Sequence, residues 1–354
     1  VSDRPARPND LKDRIRDAIR AGGPMPVSLY MLMCLHDPEH GYYATRPGFN
    51  QDFTTAPETS QVFGEMIGLW AANEWTAMGS PNPFWLVELG PGRATMMQDL
   101  LRAGRAVPGF AEAAKIAFIE ASPALRLEQQ IRLAGRDLTC FDDLADVPTG
   151  PSIILANEFL DCLAVRQFVR EGNGWRERQV GLGEDGLAFG AGPPAELPPD
   201  LLPVGDSVEY AAGLGTLAEL IAQRFRQAPG RALLIDYGPE DRSPGDTLRA
   251  YRLGAQVDPL IDPGGCDLTV DVDFPRLRRL CLAEGLAVHG PLQQGYFLTR
   301  LGALERGKKL AASNPPRAQE VLDGVRRLTA PDEMGERFKV IALAPHGSAT
   351  PAGF

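Results

Sequence analysis

Phe84-Trp85-Leu86-Val87-Glu88-Leu89-Gly90-Pro91-Gly92-Arg93-Ala94-Thr95 is the stretch on which the reading of this chain turns. Leu86, Val87 and Leu89 form a short apolar run of the kind found in a parallel strand covered on both faces. Gly90 and Gly92 permit tight backbone geometry and close approach of a ligand, and Pro91 between them stiffens the turn. Thr95-Met96-Met97-Gln98-Asp99-Leu100-Leu101-Arg102 continues with helical apolar spacing, which makes Thr95 the expected N-cap. Strand, Gly-x-Gly turn and helix together are the nucleotide-binding start of a doubly wound α/β sheet.

Three ligand classes compete for such a turn. A P-loop needs Gly-Lys-Ser/Thr at the helix start, and this turn has no lysine. A dinucleotide fingerprint wants a third glycine where Thr95 stands, which weighs against NAD or FAD. S-adenosylmethionine has no pyrophosphate to seat on the helix. It has an amino acid end, a sulfonium and a ribose, and an acidic residue just before the glycines, here Glu88, suits its cationic end.

Outward from this turn, the order strand-helix repeats. Lys115–Phe118 and Ile119 form a second strand, with Glu120 at its carboxyl end, where doubly wound sheets bind ligands. Glu120, followed by Ser122, is placed to hold ribose hydroxyls, because a carboxylate accepts two hydrogen bonds at once. Leu138-Thr139-Cys140-Phe141 is a third strand, and Asp142 after it is either an adenine contact or solvated loop charge. Ser152–Ala156 is a fourth, apolar throughout, ending in Asn157-Glu158-Phe159-Leu160-Asp161. Polar residues directly after a buried strand at the ligand edge are the strongest catalytic candidates. Arg231–Ile235 is a fifth strand, ending in Asp236. Late helices over 274–284, 302–312 and 316–328, a short strand over 286–289 and a final strand over 337–343 complete a seven-strand plan.

Before the sheet, residues 1–80 read as an N-terminal helical cap, with helices over 11–21, 28–35 and 60–76 and a turn at 37–43 leading to a short extended piece. Residues 81–354 read as the catalytic domain, with insertions at about 165–212 and 239–270. The first insertion opens on a β-hairpin over 165–180 and continues as a Gly/Pro-rich loop over 183–205.

The net charge of −10 argues against non-specific binding to nucleic acid or anionic membranes. No apolar run is long enough to span a bilayer, and the N-terminal residues lack an apolar signal core. Five scattered cysteines without a Cys-x-x-Cys argue against a zinc site or a disulfide framework, which fits a reducing compartment. His36 and His40 have helical spacing, but Pro38 between them argues against a metal pair.

Several stretches in order carry a resemblance. They are Asp37-Pro38-Glu39-His40-Gly41-Tyr42-Tyr43, Asp52-Phe53-Thr54-Thr55-Ala56-Pro57-Glu58, Glu88–Gly92, Asn157–Asp161 and Ile235-Asp236-Tyr237-Gly238. Thr247–Arg252, Asp267-Leu268-Thr269, Gln294–Leu298 and Met334-Gly335-Glu336 follow. The chain resembles the MidA-like class I methyltransferases, the family of the mitochondrial complex I assembly-factor arginine methyltransferase, from about Leu11 to about Leu343.

The resemblance implies a Rossmann-like seven-strand α/β sheet and S-adenosyl-L-methionine as cofactor. It implies methyl transfer to an arginine of the 49-kDa-type subunit of NADH:quinone oxidoreductase. The alternative is a non-catalytic complex I assembly protein that keeps the fold. The expected compartment is the cytoplasm of a bacterium, or the mitochondrial matrix in a eukaryote. The oligomeric state stays open, a homodimer included.

On this reading Glu88, Gly90, Pro91, Gly92, Glu120, Ser122, Asp142 and Asn157 bind the cofactor, and the family pattern adds Asp52, Thr54, Thr55 and Glu58 as a lid. An arginine guanidinium stays protonated at ordinary pH, so carboxylates must orient it. Glu158 and Asp161, three apart, are the expected pair, with Asn157 orienting donor or substrate and Asp236 a further candidate. Ala94 stands where the family usually has a third glycine, Gln51 replaces a usual glycine, and Leu253-Gly254 and Asp271 stand where histidines are common.

Overall fold

The computed structural model describes residues 10–45 and 54–354. Asp52 and Gln51 lie outside the described residues. The chain divides into two compact units, one made of Thr54–Asp161, Leu214–Asp241 and Val272–Phe354, the other of Cys162–Gly213, Arg242–Asp271 and the described residues 10–45.

The first of these units is built on a seven-stranded sheet. Its strands in chain order are β1 (Phe84–Leu89), β2 (Ala114–Ile119), β3 (Leu138–Phe141), β4 (Ser152–Asn157), β5 (Gly230–Tyr237), β6 (Leu286–Gln293) and β7 (Phe338–Pro345). They lie in the order β6-β7-β5-β4-β1-β2-β3, and β7 runs antiparallel to both of its neighbours. β1 is central, paired in parallel with β2 on one side and β4 on the other. That position explains its composition, since a strand covered on both faces needs apolar residues such as Leu86, Val87 and Leu89. Reversal of chain order between β1 and β4 makes the carboxyl ends of these two strands a topological switch point, where such sheets bind ligands.

Two helices fix the turn after β1. Helix α1 (Gln61–Ala77) is capped by Ser60, whose side chain accepts from the Val62 N–H. Helix α2 (Thr95–Gly104) lies against it, and the contact is close because glycines line it. A Cβ on Gly68 would sit 2.5 Å from the Leu100 carbonyl oxygen, and one on Gly64 would sit 2.7 Å from the Asp99 Cβ. Glu65, buried on α1, accepts from Arg102 on α2 at 3.1 Å. Trp70, Phe63, Leu86, Met97, Phe118 and Ile153 belong to the core between helices and sheet. Each such large side chain contributes roughly 1.5–3 kcal/mol by leaving water.

The second unit has its own core, with Leu11, Ile15, Tyr30, Met31, Val165, Val180 and Leu268 buried together. A five-stranded antiparallel sheet contains the expected hairpin, Val165–Glu171 with Gly174–Leu182, closed by Gly172 and Asn173. A three-stranded sheet joins Arg249–Arg252 to Ala255–Val257 and Asp267–Thr269.

Four local expectations are corrected. Residues 183–205 are not all loop, since Leu187–Ala195 is a strand on the hairpin's second arm. Among the described residues it pairs on one side only, the kind of strand in which prolines such as Pro193 and Pro194 are tolerated. The piece after Asp37–Gly41 is a helical turn, Tyr42–Thr45, rather than extended. The strand starting at Leu286 runs on to Gln293, past 289. Thr95 is not the N-cap of α2, because Ala94 holds that place at φ 60 with no capping side chain.

Candidate active site

The turn after β1 is left-handed three times, at Gly90 (φ 62), Gly92 (φ 52) and Ala94 (φ 60). The Gly90 N–H donates to the Ile119 carbonyl at 3.0 Å, tying the turn to the end of β2. A Cβ on Gly90 would lie 2.9 Å from the Phe159 ring, so the glycine also makes room for the next strand's turn. Gln129 on helix α3 (Pro123–Arg132) donates to the Gly92 carbonyl at 2.7 Å and to Glu120 Oε2 at 3.2 Å. Just before the turn, Glu88 is 3% exposed and its Oε2 has no hydrogen-bond partner. Burial pushes its carboxyl up to about 8.

The turn after β4 is held differently. Glu158, a non-glycine residue, sits at φ 51. Its Oε1 accepts from the Ala56 N–H at 2.9 Å and from Asn157 Nδ2 at 3.1 Å. Burial, with the charge of Asp161 adding, pushes its carboxyl up to about 7, against the opposing pull of the Ala56 N–H. Asp236, fully buried at the end of β5, lies under the turn. Its Oδ2 accepts from the N–H groups of Phe159, Leu160 and Asp161 at 3.1, 2.8 and 3.2 Å, and its Oδ1 from Tyr237 N at 2.9 Å. Burial, then repulsion from Asp161, raises its carboxyl well above the usual range.

Around these two turns the other expected residues are placed as follows. Glu120 is buried, its Oε1 accepting from Ser122 N at 2.8 Å, and burial raises its carboxyl against that bond. The Ser122 hydroxyl accepts from the Leu125 N–H and so caps α3. Asp142 is exposed and pairs with Arg126 at 2.5 Å. Thr55 precedes a single helical turn, Ala56–Thr59, without a capping bond from its side chain. Glu58 in that turn accepts from the Thr95 hydroxyl at 2.6 Å, so Ala56–Thr59 is bonded to both ligand-edge turns. Pro91 lies between the two glycines as expected, its carbonyl accepting from Ala94 N at 2.8 Å. Asn157 closes β4 with its Oδ1 buried and without a partner.

Three residues outside those expectations complete the site. Phe159 covers Gly90, Gln129 joins the Gly92 carbonyl to Glu120, and Tyr237 donates its hydroxyl to Asp161 Oδ2 at 2.6 Å. For Phe159 and Tyr237 the signal was adjacency to flagged acids. Gln129 carries no signal, being one polar residue on a helix full of them.

Strand order, glycine turn and acid-lined ligand edge define a class I methyltransferase. A model of S-adenosyl-L-methionine-dependent methyltransferases matches residues 66–292. The chain is 37% identical to the mitochondrial protein arginine methyltransferase NDUFAF7 of Homo sapiens, covering 93% of this chain and 82% of that protein. It is 35% identical to the Drosophila melanogaster homologue of that protein, covering 95% of this chain and 85% of the other. A Burkholderia thailandensis protein crystallised with S-adenosyl-homocysteine has the same fold, with a TM-score of 0.82 at 25% identity over 97% of this chain and 94% of that one. The chain belongs to this family of S-adenosylmethionine-dependent methyltransferases, and S-adenosylmethionine is its cofactor.

The residues present fit that ligand. Glu88 Oε2 and Asn157 Oδ1 are buried acceptors lacking donors, at the ends of two paired strands. A buried acceptor without a donor costs about 1–3 kcal/mol, a cost removed by a ligand that brings an ammonium group and hydroxyls. Among the described residues no helix is long and apolar enough to cross a membrane.

Proposed function

We propose that the protein methylates an arginine side chain of a protein substrate, the 49-kDa-type subunit of NADH:quinone oxidoreductase, in a bacterial cytoplasm or the equivalent matrix compartment. The observation that supports this reading is the turn Asn157–Asp161, which carries two carboxylates, Glu158 and Asp161, and packs Phe159 against Gly90 of the cofactor turn. The arginine methyltransferase names of the relatives support it.

When bound, the cofactor supplies a methyl group on a sulfonium, with a neutral thioether as leaving group. The chain's own residues supply the rest. Glu88 and Asn157 hold the amino acid end, and Glu120 the ribose hydroxyls. Glu158 and Asp161 hold the guanidinium through charge-assisted bonds, which fix one nitrogen for in-line attack. As the N–C bond forms and the C–S bond breaks, the substituted nitrogen carries a surplus proton. Glu158, whose carboxyl lies at about 7, accepts it and passes it to solvent.

The test is incubation of the purified protein with S-adenosylmethionine and the purified subunit, followed by mass spectrometry of arginine-containing peptides and a count of S-adenosylhomocysteine formed. Methylarginine that disappears in Glu158→Gln and Asp161→Asn supports the assignment. Full turnover in both variants, with normal cofactor binding, refutes it. Absence of product with the native protein favours the assembly-scaffold alternative.

A further inference from the structure

We propose that Tyr237 is a positioning residue for methyl transfer, setting the Asp161 carboxylate that receives the substrate guanidinium. The inference rests on the proposed function of the Asn157–Asp161 turn.

Consecutive residues at the end of β5 hold the two ends of one residue on the neighbouring turn. Asp236 accepts the Asp161 backbone N–H at 3.2 Å, and Tyr237 donates its hydroxyl to Asp161 Oδ2 at 2.6 Å. The backbone bond fixes where the side chain starts, and the phenol fixes how the carboxylate is turned. An aspartate carboxylate rotates broadly about its last bond unless a donor holds it. A carboxylate that must meet a planar guanidinium in parallel bonds gains most from being held beforehand.

The phenol is itself held. Tyr237 lies opposite Phe338 in the β5–β7 register, their rings edge to face with centroids 5.4 Å apart. The Arg337 guanidinium lies 5.1 Å from the Tyr237 ring centroid. Asp236 Oδ1 accepts the Tyr237 N–H at 2.9 Å. A ring gripped by packing and its backbone by a buried acid places a hydroxyl reproducibly. A tyrosine serving only to fill space would need none of the 2.6 Å contact with an acid. The phenylalanine variant separates these roles, since it keeps the ring contacts and deletes only the donor.

The experiment uses the full chain with S-adenosylmethionine and the purified 49-kDa-type subunit as acceptor, comparing the native protein with Tyr237→Phe, Asp161→Asn and the double variant. Tyr237→Phe is expected to raise KM for the acceptor about tenfold while kcat changes less than about threefold. S-adenosylhomocysteine affinity, read by calorimetry, and the melting temperature stay at native values. The double variant is no worse than Asp161→Asn alone, because Tyr237 acts through Asp161. Native KM and kcat in Tyr237→Phe overturn the proposal, as does a loss that adds to that of Asp161→Asn. Equal losses of acceptor and cofactor affinity, or a lowered melting temperature, also overturn it by showing a structural role. If Asp161→Asn keeps full turnover, the guanidinium is held elsewhere and the proposal falls with that assignment. If the native protein does not methylate the subunit at all, the functional reading fails first.

Discussion

Two turns at the carboxyl ends of the paired strands β1 and β4 do opposite things with the same backbone conformation. Both enter the left-handed region, at Gly90 and Gly92 in one and at Glu158 in the other. After β1 it is reached at two of three positions by removing side chains, at Gly90 and Gly92 but not at Ala94, which leaves open backbone for a cofactor. After β4 it is imposed on a glutamate, and the neighbouring backbone is pinned from below by Asp236 through three N–H groups. A left-handed non-glycine residue costs about 1–2 kcal/mol, and its surroundings must over-determine it. The lesson is that the binding turn depends on absence and the acid turn on a buried anchor, so they should fail in different ways.

The largest effect is expected at the open turn. Gly90→Ala places a Cβ at φ 62 and 2.9 Å from the Phe159 ring. It should weaken S-adenosylhomocysteine binding by about 100-fold or more in calorimetry, with helical content by circular dichroism intact. Native affinity in this variant would show that the turn does not need its glycine.

Next comes a contrast within the acid turn. Asp236→Ala removes the acceptor of four backbone N–H groups, three in the turn and that of Tyr237, and should cost about 3–5 kcal/mol in denaturant unfolding. Glu158→Gly relieves the strain at φ 51 but loses the bonds to Ala56 and Asn157. Its stability should stay within about 1 kcal/mol of native while methyl transfer is lost. Equal destabilisation by the two would erase the distinction between anchor and working group.

A pH measurement sharpens the comparison further. Glu88 at about 8 and Glu158 at about 7 both bind protons more tightly folded than unfolded, where the value is 4.5. Their contribution to ligand-free stability is therefore full below 4.5 and lost as pH rises through about 7 and then about 8. Glu88→Gln should leave the melting temperature unchanged at acid pH and raise it by several degrees above pH 8. A cofactor ammonium beside Glu88 favours its anion, so binding at neutral pH should release close to one proton. Calorimetry in two buffers of different ionisation enthalpy reads this directly, and a release unchanged in Glu88→Gln would assign the proton to another group.

The smallest effect belongs to Ala94, a non-glycine residue at φ 60. Ala94→Gly should stabilise the chain by about 0.5–1 kcal/mol and leave cofactor affinity within about twofold. A large gain in affinity would instead make Ala94 a constraint on the cofactor turn.

The two turns were not equally legible. The glycine turn and Glu88 stand in one short segment, where an apolar run, two glycines and a helical repeat are all local signals. The acid turn was visible as residues, Asn157, Glu158 and Asp161 after an apolar strand, but not as a machine. Asp236 and Tyr237 reach it from 75 to 77 positions along the chain, beyond any periodicity. Thr95 was misread because a hydroxyl at a helix start is a strong capping signal, yet its hydroxyl bonds Glu58 instead. Pro193 and Pro194 hid the strand Leu187–Ala195, since proline argues against strands in general and only the sheet shows that this one is at an edge.

The sequence by itself determined the doubly wound sheet, the glycine turn and the acids at the strand ends, because strand and helix periods and glycine punctuation act over a few residues. Tertiary structure alone decided which acid holds backbone, which is left with an orphaned oxygen, and which has its carboxyl raised. Those properties follow from burial and from partners brought together by strand pairing, β4 with β1 on one side and β5 on the other. Asp236 and Glu158 are both acids at strand ends in the sequence. Only the β5–β4 pairing brings Asp236 to three N–H groups of the turn, while Glu158, within the turn itself, accepts the Ala56 N–H.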